Sequence, residues 1–286
     1  MHQQLLKEID HSYKRANFLY SLFWDKNSSS SIHFGYWDKS IKNHSQALQL
    51  HKEKLSEMAN ISKQAKVLDM GCGVGGGAFF LAQKFNAQVT GLNICSTQLK
   101  EARQKAKRLN VDSQVNFLEL DYLHSQLEND TFDVIWATES FFHCDDKTKF
   151  IQECYRLLKP RGVLLIADYF ISRQPDNAKE TSLMNNWFDG FHIPYLLSRD
   201  QFESEIAIAG FDEFHYKDVS ENVVPSSNRL FLLGYIGVIA AFPLRIFPKN
   251  IRKQLPFQER HALSTKCQHK ALKKGLWEYG FVSAIK

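Results

Sequence analysis

The densest chemical signal in the chain is Asp69-Met70-Gly71-Cys72-Gly73-Val74-Gly75-Gly76-Gly77. It follows the apolar pair Val67-Leu68 and runs into a helix predicted to begin near Gly77. Glycines at such a junction permit positive φ and let backbone amides approach a ligand at a helix N-terminus. Gly71-x-Gly73-x-x-Gly76 also satisfies the dinucleotide-binding fingerprint. That fingerprint expects an acid about 20 residues later to hold a ribose. Here the next predicted strand, 88–92, runs into Asn93, and no acid stands from Gln88 to Thr97. Hydride transfer with a nicotinamide cofactor is therefore disfavoured. Further chemistry falls at later predicted strand ends, with His143 after the fourth and Asp168 after the fifth. Open α/β sheets bind ligands along that edge. A histidine there, with a reference pKa near 6.5, could take a proton from a hydroxyl or serve as a structural ring. Asp168 could orient a base or hold a hydroxyl.

These groups need a scaffold, and the pattern supplies one. From Lys66 onward, short apolar runs at 67–68, 88–92, 115–120, 132–137 and 162–167 alternate with helical stretches at 77–85, 96–109 and 147–158. Strands alternating with helices predict βαβ units and a parallel sheet covered on both faces. Pro160-Arg161-Gly162 reads as a turn between helix and strand. After Tyr169 the order is less regular, with a helix over 199–209, a strand-like 211–219 and a closing strand over 277–285. Residues 1–60 read as a helical cap, 61–222 as the α/β core, 223–275 as an apolar helical insertion, and 276–286 as the last strand of the core.

The remaining composition excludes more than it identifies. With 286 residues, 44% hydrophobic and 23% charged, the chain is globular in type. Its net charge of +5 is spread along the sequence and argues for no nucleic-acid partner. The five cysteines are widely separated, form no C-x-x-C pair and suggest reduced thiols in a cytoplasmic protein. His143-Cys144-Asp145-Asp146 lacks a second ligand group at metal-site spacing. Its two acids suit the N-cap and first turn of the following helix, so no metal is expected. Leu230 to Leu244, LFLLGYIGVIAAFPL, carries no charge yet falls short of the roughly 20 residues needed to span a bilayer. The stretch 230–247 could line a pocket, lie peripherally on a membrane or form a homodimer contact.

Taken in order, these motifs resemble a class I S-adenosylmethionine-dependent methyltransferase, over nearly the whole chain. The resemblance implies a Rossmann-like α/β fold with a seven-stranded sheet, mostly parallel with the last strand antiparallel. It also implies S-adenosylmethionine as cofactor. Asp69, Gly71, Gly73 and Gly75 match the D-x-G-x-G-x-G motif that wraps the cofactor's amino-acid part. Gly91-Leu92-Asn93-Ile94-Cys95-Ser96-Thr97-Gln98 resembles the ribose-binding turn, with Asn93 where many members carry an acid. A neutral residue with a glutamine five positions later, as Gln98 is, occurs in the branch related to cyclopropane synthases. Asp121-Tyr122 resembles the pair that brackets adenine. Glu139-x-x-x-His143 resembles the fourth-strand ending of sterol, tocopherol and natural-product methyltransferases. Phe142 stands where some members carry a first histidine, so that histidine's base role does not transfer. Ile32-His33-Phe34-Gly35-Tyr36-Trp37 is similar to the entry segment that folds over the cofactor, which places His33 beside it. Trp277-x-Tyr279 and Lys286 resemble the last strand and terminus.

Within that resemblance Glu139 lies nearest the expected sulfonium and could balance its charge. Tyr36, Trp37, Phe141, Phe142 and Tyr169 are candidate aromatic walls for a cation. An insertion as apolar as 223–275 suits a small hydrophobic acceptor methylated on oxygen or carbon. A small polar amine, or cofactor binding without turnover, are the alternatives.

Overall fold

The computed structural model describes residues 2–24, 29–241 and 255–286. Seven strands, β1 (Lys66–Met70), β2 (Gln88–Asn93), β3 (Val115–Glu119), β4 (Phe132–Thr138), β5 (Leu158–Ile171), β6 (Asp212–Asp218) and β7 (Trp277–Ile285), form one sheet in the order β3-β2-β1-β4-β5-β7-β6. The first five pair in parallel, and β7 runs antiparallel between β5 and β6. The central strands carry apolar residues on successive positions because both faces are covered. Val67, Val134, Trp136, Leu165 and Ala167 belong to one core, while Leu68, Met70, Ile135, Ala137, Leu164 and Ile166 belong to the other.

Helices α1 (His2–Phe23) and α2 (His44–Ser56) precede the sheet. Next come α3 (Gly76–Phe85), α4 (Ser96–Arg108) and α5 (Lys147–Leu157). They are followed by α6 (Ala178–Phe191), α7 (Arg199–Ala209), α8 (Ser220–Ala241) and α9 (Leu255–Lys273). Residues of α3 and α4 pack in the first core; Phe150, Ile151, Cys154 and Leu157 of α5 and Phe202 and Ile206 of α7 pack in the second. The strand order reverses between β1 and β4. Ligands bind such sheets in the crevice outside the strands' carboxyl ends at this switch point.

Two local expectations change. Pro160-Arg161-Gly162 is not a turn between elements but a bulge inside β5. Phe132 pairs with Leu158 and Val134 already with Val163, and Arg161 takes a φ of 67°. The bulge absorbs the surplus residues while the strand continues on both sides. The irregular region after Tyr169 contains α6, whose N-cap Asn177 accepts from the amides of Lys179 and Glu180. The Asn177-x-x-Glu180 spacing was the available signal.

In the insertion, α9 packs against α8 and α6 at close quarters. A Cβ on Gly234 would meet the Thr265 hydroxyl, and one on Gly190 would meet Ser264 Oγ. On α8, Leu230 is buried while Leu232, Tyr235 and Ile236 are exposed. No helix among the described residues is long and apolar enough to cross a membrane. The expected contact stretch 230–247 falls partly outside the described residues, from 242 onward.

Candidate active site

One cavity opens at the carboxyl edge of the sheet, and β1 delivers its first group. Asp69 is 3% exposed, and its Oδ2 has no hydrogen-bond partner. Burial pushes its carboxyl up to about 7, offset only by the Ala78 amide. After it the chain turns through Gly71, at φ 84°, whose amide donates to Leu92 O at 2.9 Å. A Cβ there would strike the Ser140 side chain, so glycine lets the β1 and β4 loops touch. Gly73 and Gly75 complete the loop at φ 53° and 93°, and Gly75 becomes the N-cap of α3 without a capping side chain.

At the end of β2, the Asn93 amide nitrogen donates to Gly73 O at 3.3 Å and to Gln98 Oε1 at 2.8 Å. A neutral amide pair thus braces the glycine loop where an acid was the commoner choice, and Ile94 lies beside it on the cavity wall. Asp121 Oδ1 accepts from the Leu123 amide, and its Oδ2 faces His2 Nε2 and His124 Nδ1, each at 2.8 Å. Burial alone would raise its carboxyl, yet the hydrogen bonds from His124, His2 and Leu123 hold it below the ordinary carboxylate value. The Tyr122 hydroxyl donates to Ser140 O at 3.3 Å, and its ring packs edge-on to Phe150. Among the described residues, His2, Asp121 and His124 are a trio of metal-capable side chains, with ligand atoms within 4.8 Å of one another. Both histidines contact the same Asp121 oxygen directly. Of the two acids expected as N-cap and first-turn acid of α5, Asp146 is the N-cap and accepts from the Lys149 amide, while Asp145 lies before the helix and pairs with His2, so the first turn holds no acid.

Glu139 forms the hub of the cavity. It takes a φ of 46° just past β4. Its Oε1 accepts from the Phe34 amide at 2.6 Å and the Tyr279 hydroxyl at 2.9 Å, and its Oε2 from the Tyr169 hydroxyl at 2.7 Å. Burial nevertheless pushes its carboxyl up to about 7. His33 lies on the same wall with its ring 4.4 Å from that of His51. Its Nδ1 donates to Phe34 O, its Nε2 has no partner, and burial holds it down to about 3. Of the aromatic walls expected, Phe142 and Tyr169 line the cavity; Tyr36, Trp37 and Phe141 do not. Tyr36 packs on Phe281, Trp37 stacks on His44, and Phe141 sits among Phe150 and Phe202. Trp24, Phe34 and Trp136 line the cavity as well.

Asp168 also departs from expectation. It is fully buried off the cavity, and its carboxylate accepts from the amides of Ser140, Phe142 and Tyr169. From the other side the buried Lys147 ammonium donates to the carbonyls of Phe141 and Cys144 at 2.9 and 3.1 Å. Together they clamp the loop that presents His143. Asp168 therefore shapes the loop and has no free oxygen aimed at a ligand.

His143 does line the cavity. Its Nδ1 donates to His192 O at 3.3 Å, which leaves Nε2 as the acceptor for the Tyr13 hydroxyl at 3.1 Å. Burial holds its ring down to about 3, so it is neutral before any acceptor binds. Around this pair the wall turns apolar: Leu6 and Ile9 of α1, Phe142, Phe191 and Leu230. His192 terminates α6 in a left-handed cap and sits 2.7 Å from Ser12 Oγ. Sequence reasoning missed Tyr13 and Lys52 as site residues. Both lie on amphipathic helices far upstream of the motif, where nothing local separates them from packing residues.

The arrangement suits the cofactor that the sequence resemblance implies. The orphaned Asp69 oxygen and the Glu139 hub supply two buried carboxyls, and a ligand carrying two cationic centres would satisfy both.

Comparison with known proteins agrees. The profile of a family described as a methyltransferase domain matches residues 68–166. Methyltransferase GfsG of Streptomyces halstedii is 33% identical over 77% of this chain and 78% of its own. The chloroplastic tocopherol O-methyltransferase of Arabidopsis thaliana is 25% identical over 99% of this chain and 83% of its own. Among solved structures, a cyclopropane synthase of Mycobacterium tuberculosis shares the fold, with a TM-score of 0.84 at 14% identity, over 98% of each chain.

Proposed function

Because the chain belongs to the S-adenosylmethionine-dependent methyltransferases, we propose that it methylates a hydroxyl of a small hydrophobic acceptor, with His143 as the proton-accepting residue. The single observation that carries this reading is the position of His143 Nε2. His143 lines the cavity together with Asp69, Glu139, Leu6, Ile9, Phe191 and Leu230, and its Nε2 lies 3.1 Å from the Tyr13 hydroxyl. The cofactor supplies an activated methyl group on a cationic sulfur. Everything else is the work of side chains. Alignment of an acceptor oxygen can contribute about 7–11 kcal/mol, and the apolar walls Leu6, Ile9, Phe191 and Leu230 would hold a greasy body for that purpose. Phe142 and Tyr169 line the cavity, where an aromatic face turned to a cation would be worth about 0.5–2 kcal/mol.

His143 enters neutral, its Nδ1 proton committed to His192 O, and takes the hydroxyl proton at Nε2 after the Tyr13 hydroxyl yields its place. Because the ring is held down to about 3, its protonation brings no loss of rate between pH 8 and 5. The activity named for the tocopherol relative, O-methylation, supports oxygen as the acceptor atom.

The test replaces His143 by Ala and assays a panel of hydrophobic phenols and alcohols. We expect kcat to fall about 10²-fold or more, with affinity for S-adenosylhomocysteine held within about 3-fold. Undiminished turnover by the variant would remove His143 from the chemistry. Turnover of phosphoethanolamine but not of any hydrophobic hydroxyl would overturn the acceptor class.

A further inference from the structure

The surplus of positive charge is unevenly placed. Residues 222–277 carry ten lysines and arginines against a single acid, Glu259, whereas the rest of the chain carries 26 basic and 30 acidic residues. Within this basic stretch, Leu230 to Leu244 has no charge at all. A charge-free apolar run set in a cationic segment suits a surface that meets anionic lipid.

The fold turns part of that composition outward. On α8, Leu232, Tyr235 and Ile236 share one face at i, i+3 and i+4. On α9, the exposed Leu263 is followed on its own face by Lys266 and Lys270, at i+3 and i+7. The four apolar side chains are 44–59% exposed. Gly234 of α8 packs on Ala262 and Thr265 of α9, so the two exposed stripes lie side by side. Lys274 pairs with Glu180, whereas Lys266, Lys270 and Lys273 make no ion pair among the described residues. The same two helices supply Leu230 and His261 to the wall of the cavity's acceptor end.

We propose that this face of α8 and α9 docks on an anionic bilayer surface. Leu232, Ile236 and Leu263 enter the boundary between headgroups and acyl chains, and the Tyr235 ring lies at headgroup level, where one end is apolar and the other wet. Lys266, Lys270 and Lys273 meet lipid phosphates. No described helix is long enough to cross, so the contact is peripheral. Docking sets the helices that wall the acceptor end against the phase in which a hydrophobic acceptor dissolves. The proposal is independent of the acceptor atom.

The experiment floats the full chain with vesicles of phosphatidylcholine alone and of phosphatidylcholine with about 30% phosphatidylglycerol, at low and high salt. We expect the anionic vesicles to bind about 10-fold or more tighter than the neutral ones, and high salt to weaken that binding. Leu232→Ser with Ile236→Ser, and separately Lys266→Glu with Lys270→Glu, should each cost about 10-fold or more in vesicle affinity. All four positions are exposed, so Tm should stay as in wild type. Absence of binding to anionic vesicles would overturn the proposal, as would binding that both double variants retain. A wild-type dimer that Leu232→Ser with Ile236→Ser dissociates, or capture of transfer RNA, in either case without vesicle binding, would give the face to a second copy or to nucleic acid and overturn it likewise.

Discussion

Burial makes the carboxyls of Asp69 and Glu139 costly to ionise. Each is pushed up to about 7 by burial, so each is partly protonated near neutrality. A ligand with two cationic centres binds their ionised forms, so affinity for S-adenosylmethionine should rise from pH 6 to 8, with proton release on binding. Calorimetry in buffers of different ionisation enthalpy reads this directly; affinity flat across that range would contradict it. The stability consequence has the opposite sign. A carboxyl raised on folding stabilises the fold fully below the ordinary carboxylate range and loses that contribution as pH rises through about 7. Asp69→Asn should therefore raise the Tm of the ligand-free protein at pH 8 by a few degrees while abolishing the ligand-induced Tm increase. A lower Tm with binding intact would sink that account. Asp69 was legible in the sequence because strand, glycine loop and helix frame it. Asp168 was legible as a strand-end acid, but not as a loop anchor, since its three amide donors include two beyond β4.

At the scale of elements, α1 closes the cavity and is fastened at both ends of its described contact surface. His2 bridges Asp121 and Asp145 at 2.8 and 2.7 Å, and Ser12 and Tyr13 meet His192 and His143. Burial alone would lower His2, but its hydrogen bonds to the two acids raise it above its usual value. A raised histidine keeps its charge, and so the latch, at low pH and loses it as pH climbs through its folded-state pKa. His2→Ala should accordingly speed dissociation of S-adenosylhomocysteine and remove the pH dependence of that rate above pH 6.5. Stopped-flow displacement measures both, and an unchanged rate would show that α1 does not gate the site. The apolar spacing of Leu5, Leu6, Ile9 and Tyr13 suits a helix, in keeping with the helical cap expected over 1–60, but does not tell which side meets a cavity. The β5 bulge was misread for a related reason. Proline and glycine mark a break in regular pairing, and a bulge and a turn share that local chemistry.

For the molecule as a whole, the parallel core was readable because its signals are local: apolar runs, helical spacing and glycine punctuation recur within thirty residues or so. The insertion of β7 between β5 and β6 rests on pairings such as Asp168 with Gly280 and Lys217 with Phe281, which no local pattern encodes. Family resemblance alone supplied its antiparallel sense, and nothing in the sequence supplied its place. The acceptor end was least legible of all. It gathers Leu6, Tyr13, His143, Phe191, Leu230 and His261 from five separate stretches of chain, and only the fold makes them neighbours. The central claim is that this gathered wall presents a hydrophobic hydroxyl to the cofactor's methyl group. The most direct measurement supplies S-adenosylmethionine labelled with ¹³C in that methyl, together with a mixed panel of hydrophobic alcohols, phenols and alkenes and small polar amines. The carbon resonance of the product then reports the new bond. The account predicts a methoxy carbon on a hydrophobic member of the panel, lost in His143→Ala. An N-methyl or C-methyl signal in its place, with no methoxy product, would contradict it.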